Sequence, residues 1–344
     1  MIRFECDYAE GANPKILENL ISTNLEQHVG YSKDSHCENA RHLIKQICKN
    51  DNIDVHFMVG GTIANLTVIS SILAPYQGVI SADTGHINTH ETGAIEATGH
   101  KVLTIPSSNG KLETAKVLEM LETHANDTNA EHCVQPGMVY ISHPTECGTT
   151  YTKAELTALY EICQKYNIPL FIDGARLGYA LVSENNDLSL QDITNLSDVF
   201  YIGATKIGAL FGEAVVITND KYKKNFRYMM KQKGGLLAKG RFLGIQFETL
   251  FENGENGLYF EMANHAVGLA MKIRKACEEK GYKMLFDSKT NQQFPILPKE
   301  KIANLHEKFA FYEWLAVDAN NSAVRFCTSW ATSQEQVDEL IKNL

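Results

Sequence analysis

The chain has 344 residues, 44% of them hydrophobic and 21% charged, with a formal net charge of -9. That length favours two lobes over a single growing core, and the acidic balance argues against a nucleic-acid surface, which needs a basic patch. No apolar run reaches the roughly 20 residues of a membrane-spanning helix. Met1 leads straight into Ile2-Arg3-Phe4-Glu5-Cys6-Asp7, without the basic-then-apolar pattern of a signal peptide. The eight cysteines are scattered with no CxxC pair, so reduced thiols and a cytoplasmic location are expected.

Asn13-Pro14 is the cap-then-proline start of a helix with Ile16, Leu17, Leu20 and Ile21 as its apolar face. Ser35-x-x-Glu38 reads as a capping box ahead of Ala40, Leu43, Ile44 and Ile47. Short apolar runs then alternate with helical patterns. Strands are expected over residues 55–59, 78–82, 138–142, 169–172, 199–202 and 214–218, with helices over 62–73 and about 153–166. The second helix opens on the box Thr152-x-x-Glu155. Such alternation implies parallel pairing and right-handed crossovers, so residues 25–240 should form one α/β lobe.

Further on, a long helix is expected over about 259–280, strand-like pieces over 293–296, 314–317 and 324–327, and a last helix from Thr332-x-x-Glu335. Residues 1–24 and 241–344 should make a smaller α+β lobe.

Two motifs close buried strands, where open α/β sheets place their ligands. One is Leu170-Phe171-Ile172-Asp173-Gly174-Ala175-Arg176; the other is Val199-Phe200-Tyr201-Ile202-Gly203-Ala204-Thr205-Lys206. An acid with a cation three residues on, and a lysine beside a hydroxyl, match what pyridoxal phosphate requires. That cofactor needs an amine for its aldehyde, a carboxylate for its ring nitrogen and a cradle for its phosphate. The cradle candidate is Val59-Gly60-Gly61-Thr62-Ile63-Ala64-Asn65, which closes a strand and opens a helix. It is neither a Walker A nor a GxGxxG loop.

The succession GGTIAN, SADTGHINTHETGA, DGAR and TK resembles the low-specificity threonine aldolases, and more broadly the β-eliminating-lyase group of fold-type I pyridoxal-phosphate enzymes. The match runs from Asp7 to Arg325. The resemblance implies a fold-type I architecture whose large lobe carries a mostly parallel, seven-stranded sheet. It implies that Lys206 forms the Schiff base, Asp173 meets the ring nitrogen and His86 stacks on the ring. Gly61, Thr62 and Thr205 would hold the phosphate, and Arg176 and Arg325 the substrate carboxylate. Tyr31, Lys233 and Lys239 fall in segments that approach the site or a neighbouring subunit's site. A homodimer or homotetramer acting on a small amino acid follows from the same resemblance.

The sequence departs from the family pattern after residue 142. Aligned on Gly148, the position that carries a histidine near the substrate hydroxyl holds Glu146, while His143 lies three residues away. Either could serve as the base. The reaction expected is retro-aldol cleavage of L-threonine or L-allo-threonine to glycine and an aldehyde. An aminotransferase or a β-eliminating lyase is the near alternative. A metal-dependent hydrolase built on Asp83, His86, His90 and Glu91 is a remote one, because Ile87 stands where the zincin motif requires Glu; no metal is expected.

Overall fold

The computed structural model covers residues 1–344. Its centre is a seven-stranded sheet of β1 (Asp54–Met58), β2 (Gln77–Ala82), β3 (Val102–Ile105), β4 (Gln135–Ser142), β5 (Leu170–Asp173), β6 (Val199–Gly203) and β7 (Glu213–Ile217). The spatial order is β1-β7-β6-β5-β4-β2-β3. Only β7 opposes its neighbours; the other pairings are parallel.

Alternate residues of the central strands feed two cores on opposite faces, as the two-residue period of a strand demands. Ile172, Phe200, Ile202 and Val216 enter one core. Phe171, Val199, Tyr201 and Val215 enter the other. Burial on both faces explains why these strands read as continuous apolar runs. β3 was not legible, because it is a short edge strand with Thr104 exposed.

The helices that matter for the site are α1 (Pro14–Ser22), α2 (Ser35–Cys48), α3 (Gly61–Ile72), α4 (Lys153–Lys165), α5 (Arg241–Phe251) and α6 (Leu258–Glu279). Asn13 caps α1 through its side chain, and Thr152 and Glu155 form the expected box on α4. The cap of α2 is Asp34 rather than Ser35; its carboxylate accepts from the Cys37 N–H at 2.9 Å. Glu38 instead pairs with Arg41.

A separate core gathers Phe4, Leu269, Ile273, Leu297, Phe309, Val324, Phe326, Val337 and Leu340. It lies with the antiparallel strands Ile296–Pro298, Tyr312–Ala316 and Asn321–Cys327 and the final helix Gln334–Asn343. The expected strand over 293–296 is broken into Gln292–Gln293 and Ile296–Pro298, interrupted at Pro295. Two helices that the sequence division gives to the small lobe, α1 and α5, place Ile16, Leu243 and Phe247 in the larger core instead. α5 packs along α2, so its apolar face has its partner there.

Candidate active site

Five turns converge at one edge of the sheet, beyond β1, β2, β4, β5 and β6, and close a cavity of about 250 Å³. Glycine decides how tightly two of them meet. A Cβ on Gly174 would stand 1.9 Å from the Tyr201 carbonyl oxygen, and one on Gly203 would stand 2.5 Å from that of Ala175. Only glycine lets the turns after β5 and β6 approach this closely. Asp173 and Lys206 therefore line the same cavity.

Asp173 is buried and acts purely as an acceptor. Its Oδ2 accepts from the Tyr140 hydroxyl at 2.6 Å and from Asn65 Nδ2 at 3.1 Å, and its Oδ1 from the Ala175 N–H at 3.0 Å. Burial alone would raise its pKa. The charge of His86 and the donors Tyr140, Tyr201 and Ala175 overcome that and hold it below the usual carboxylate value. A carboxylate so supported stays ionised and can stabilise a protonated ring nitrogen.

Lys206 follows β6, and burial pushes its pKa down. The Arg176 guanidinium adds to that, against the pull of Asp7, Asp173 and Glu213. A depressed lysine is more readily the neutral amine that attacks an aldehyde.

At the opposite wall, α3 starts at Gly61 with no side-chain cap on its N-terminus. Gly60, Gly61 and Thr62 line the cavity, so its first N–H groups are available to an anion. Thr205 lines it too. Its hydroxyl accepts from the Gly212 N–H at 3.0 Å and donates to Glu213 Oε1 at 2.9 Å. Amine, ionised carboxylate and uncapped helix start thus fit pyridoxal phosphate at its three attachment points.

His86 lines the cavity with its Nδ1 2.8 Å from Glu91 Oε1. The same Glu91 oxygen accepts from Asn65 at 2.7 Å. Burial would lower the His86 pKa, but Glu91 and Asp173 raise it on balance. Asn65 therefore ties the support of His86 to that of Asp173.

Glu146, and not His143, belongs to this cavity. Glu146 Oε1 accepts from the Ser142 hydroxyl at 2.6 Å and from the His86 N–H at 3.0 Å. Burial raises its pKa. His143 is a correction to the sequence expectation. Its ring is buried against Tyr151, its Nδ1 accepts from the Tyr151 N–H at 3.3 Å, and burial lowers its pKa to about 4. It does not line the cavity.

Arg176 lines the cavity, yet its Nε and Nη2 are already held by Asp7 at 2.6 and 3.0 Å. Burial would raise the Asp7 pKa, but Arg176 and Lys206 bring it to about 2. The pair is ionic, and it engages Nε and Nη2 of Arg176 but not Nη1.

Arg325 is not on the cavity wall. Its guanidinium lies 5.7 Å from the Trp314 ring centroid and 5.5 Å from that of Tyr312, and it donates to Gln292 and to the Glu5 carbonyl. Tyr31 is also outside: it is 41% exposed, with Lys231 over its ring. Lys239 is exposed and Lys233 half-buried, and neither lines the cavity.

Sequence reading missed Glu213, Asn65, Tyr140, Tyr201 and Tyr8. All but Tyr8, Asn65 and Tyr140 stand on the two strands flanking Lys206. Glu213 had a signal, a lone acid heading the apolar run Ala214–Ile217.

Asp83, His86, His90 and Glu91 do not bring three ligand atoms together. His86 bonds Glu91, Asp83 accepts from the Ser107 N–H, and His90 contacts the Thr89 hydroxyl. Glu26, His28 and His36 do cluster elsewhere, but both imidazoles are hydrogen-bonded to Glu26 at 2.8 and 3.1 Å, and His36 also to Glu248.

Sheet order, strand-end site and donor set together define a fold-type I pyridoxal-phosphate enzyme. The sequence model of the β-eliminating lyase family matches residues 7–298, and the chain belongs to that family. A low-specificity L-threonine aldolase of Pseudomonas sp. (strain NCIMB 10558) is 29% identical over 99% of this chain and 96% of its own length. One from Pseudomonas aeruginosa is 27% identical over the same shares. The solved structure of a Leishmania major threonine aldolase is 45% identical, with a TM-score of 0.95, over 99% of this chain and 98% of that one. A histidinol-phosphate aminotransferase from Clostridium acetobutylicum, at 12% identity, a TM-score of 0.75 and coverage of 100% and 98%, shares the fold alone.

Proposed function

We infer that this chain cleaves the Cα–Cβ bond of a β-hydroxy-α-amino acid, threonine or allo-threonine, giving glycine and an aldehyde. Glu146 carries the reading. It is a carboxyl group with a raised pKa, in one cavity with Lys206 and Asp173. The extensive identity to threonine aldolases supports the same conclusion. When bound, pyridoxal phosphate supplies an electron sink for the bond that breaks at Cα.

The residues of the chain supply everything else. Lys206, whose depressed pKa favours the neutral amine, would hold the cofactor through that amine. Arg176 would fix the substrate carboxylate and with it the orientation of the bonds at Cα, which selects the one that breaks. Asp173 keeps the ring nitrogen protonated. Glu146 takes the β-hydroxyl proton as the aldehyde leaves. A second copy of the chain is proposed as partner. Ile21, Leu25, Val29 and Tyr228 are 76%, 90%, 67% and 78% exposed, large apolar side chains that a monomer would leave in water.

The test is an assay of the purified protein with L-threonine and L-allo-threonine for aldehyde, alongside transamination with a keto acid. Aldehyde from at least one diastereomer is expected. Amino–keto exchange without aldehyde would refute the aldolase reading and leave the cofactor assignment standing.

A further inference from the structure

Glu213 has no role in the steps above, yet it stands inside the cavity with its carboxyl group buried. Strand register puts it opposite Met58 on β1 and Gly203 on β6. Met58 leads into the Gly60-Gly61-Thr62 turn and Gly203 into Thr205-Lys206, so Glu213 stands between the two segments assigned to the phosphate. Its Oε1 receives the Thr205 hydroxyl proton at 2.9 Å, and its Oε2 is buried with no partner.

The difficulty lies with Thr205. A hydroxyl has one proton to give and two lone pairs to offer. One lone pair takes the Gly212 N–H at 3.0 Å. If Glu213 is ionised, it takes the one proton as well, and a phosphate dianion meets only lone pairs and a carboxylate.

We propose that Glu213 is a positioning residue that works in its protonated form, donating to Thr205 Oγ1 so that the Thr205 proton turns to the cofactor phosphate. The balance is simple: one proton resides on Glu213 when the phosphate is bound, taken from solvent if the carboxylate was ionised before. The proposal rests on the pyridoxal-phosphate reading and on Thr205 as a phosphate ligand.

The surroundings favour the protonated form. The titratable groups facing Glu213 are Lys206, Asp173, Tyr201 and Tyr259. β1 carries His56, paired with Val215 and on the same face as Met58, where burial lowers its pKa to about 3 and keeps it neutral, and Asp54 at the far end of the strand. Met58, Val59, Gly60, Gly61 and Thr62 beside Glu213 are uncharged, and α5 offers Leu243 and Phe247 near Gly212. Burial raises the Glu213 pKa to about 8 against the opposing pull of Thr205 and Lys206. A dianion alongside raises it further. Its contribution to holding the cofactor is therefore complete below the pKa of the cofactor-free protein and fades as pH climbs through 8, by up to about tenfold per pH unit.

Glu213→Gln and Glu213→Ala separate the possibilities, because a glutamine amide donates to Thr205 at every pH. Cofactor retention by the holoenzyme on dilution, read from the visible absorption band, is compared on both sides of pH 8 in a wild-type and a Thr205→Val background. Glu213→Gln should match the wild type below pH 8 and surpass it above. Glu213→Ala should release cofactor on the order of tenfold more readily, and should add little once Thr205 is Val. If Glu213→Gln fails as badly as Glu213→Ala below pH 8, or keeps a constant ratio to the wild type across pH 8, the proposal falls while the cofactor reading stands. A wild-type protein without any visible band would overturn both.

Discussion

Asp173 owes its charge to three side chains and one backbone N–H, and this decides what its removal costs. Asp173→Asn keeps the shape but leaves Tyr140 and Asn65 donating to a poorer acceptor and removes the anion opposite the ring nitrogen. A loss of about 100-fold or more in kcat is expected, with cofactor still bound, by analogy with other preorganised electrostatic contacts. Steady-state kinetics at saturating cofactor measure it. Glu146 behaves oppositely, since its pKa is raised. A base acts ionised, so its contribution is absent well below that raised pKa and grows as pH climbs through it. Glu146→Gln should lower kcat by roughly 100-fold or more and remove this acidic limb from the pH profile, whereas His143→Asn should leave the limb in place. Lys206 and Asp173 were legible because each ends a buried apolar strand with a polar residue that has no packing reason to be there. Asn65, Tyr140 and Tyr201 were not, because their donation to Asp173 exists only after α3, β4 and β6 are packed around β5. His143 misled for a related reason: proximity in sequence says nothing about which face of a turn a ring takes.

Among the elements, the sheet was read from apolar runs, and those runs are continuous because both faces are covered. The signal failed where burial failed. β3, on the edge, is four residues long and buried only at its two ends, Val102 and Ile105, and α5 escaped because Gly240, its N-cap, carries no capping side chain. The turn after β5 gives the sharpest test at this scale. Gly174→Ala would drive a methyl group into the Tyr201 carbonyl 1.9 Å away, and backbone cannot rotate aside as a side chain can. The turns after β5 and β6 must separate, carrying Asp173 away from Lys206. A destabilisation of about 1–3 kcal/mol is expected from such overpacking, measured by denaturant unfolding, together with loss of the visible cofactor band. An Ala variant that unfolds normally and stays coloured would show that the two turns need not touch.

For the whole molecule the question is what covers the apolar side chains exposed on α1 and in the following loop. The sequence pattern of α1 reads as a buried face, yet of its apolar residues only Ile16 is fully buried; Leu17 is 38% and Ile21 76% exposed. Leu25, Val29 and Tyr31 in the loop that follows are exposed as well. A pattern that a sequence writes for burial and a single chain leaves in water points to a second copy, and closed two-fold pairing is the commonest arrangement. Tyr31 is then free to serve the partner's cavity, because it does not line its own. Light scattering should show a dimer or larger assembly, and Leu25→Glu should shift it toward monomer. Complementation is the stricter test. Lys206→Ala and Tyr31→Ala should each be inactive alone. Mixed in equal amounts and allowed to exchange subunits, half of the dimers would pair one variant with the other. The cavity that keeps Lys206 would then receive an intact Tyr31 from its neighbour, so up to about a quarter of wild-type activity should return. If no activity returns although the mixed dimers form, Tyr31 does not act across the interface.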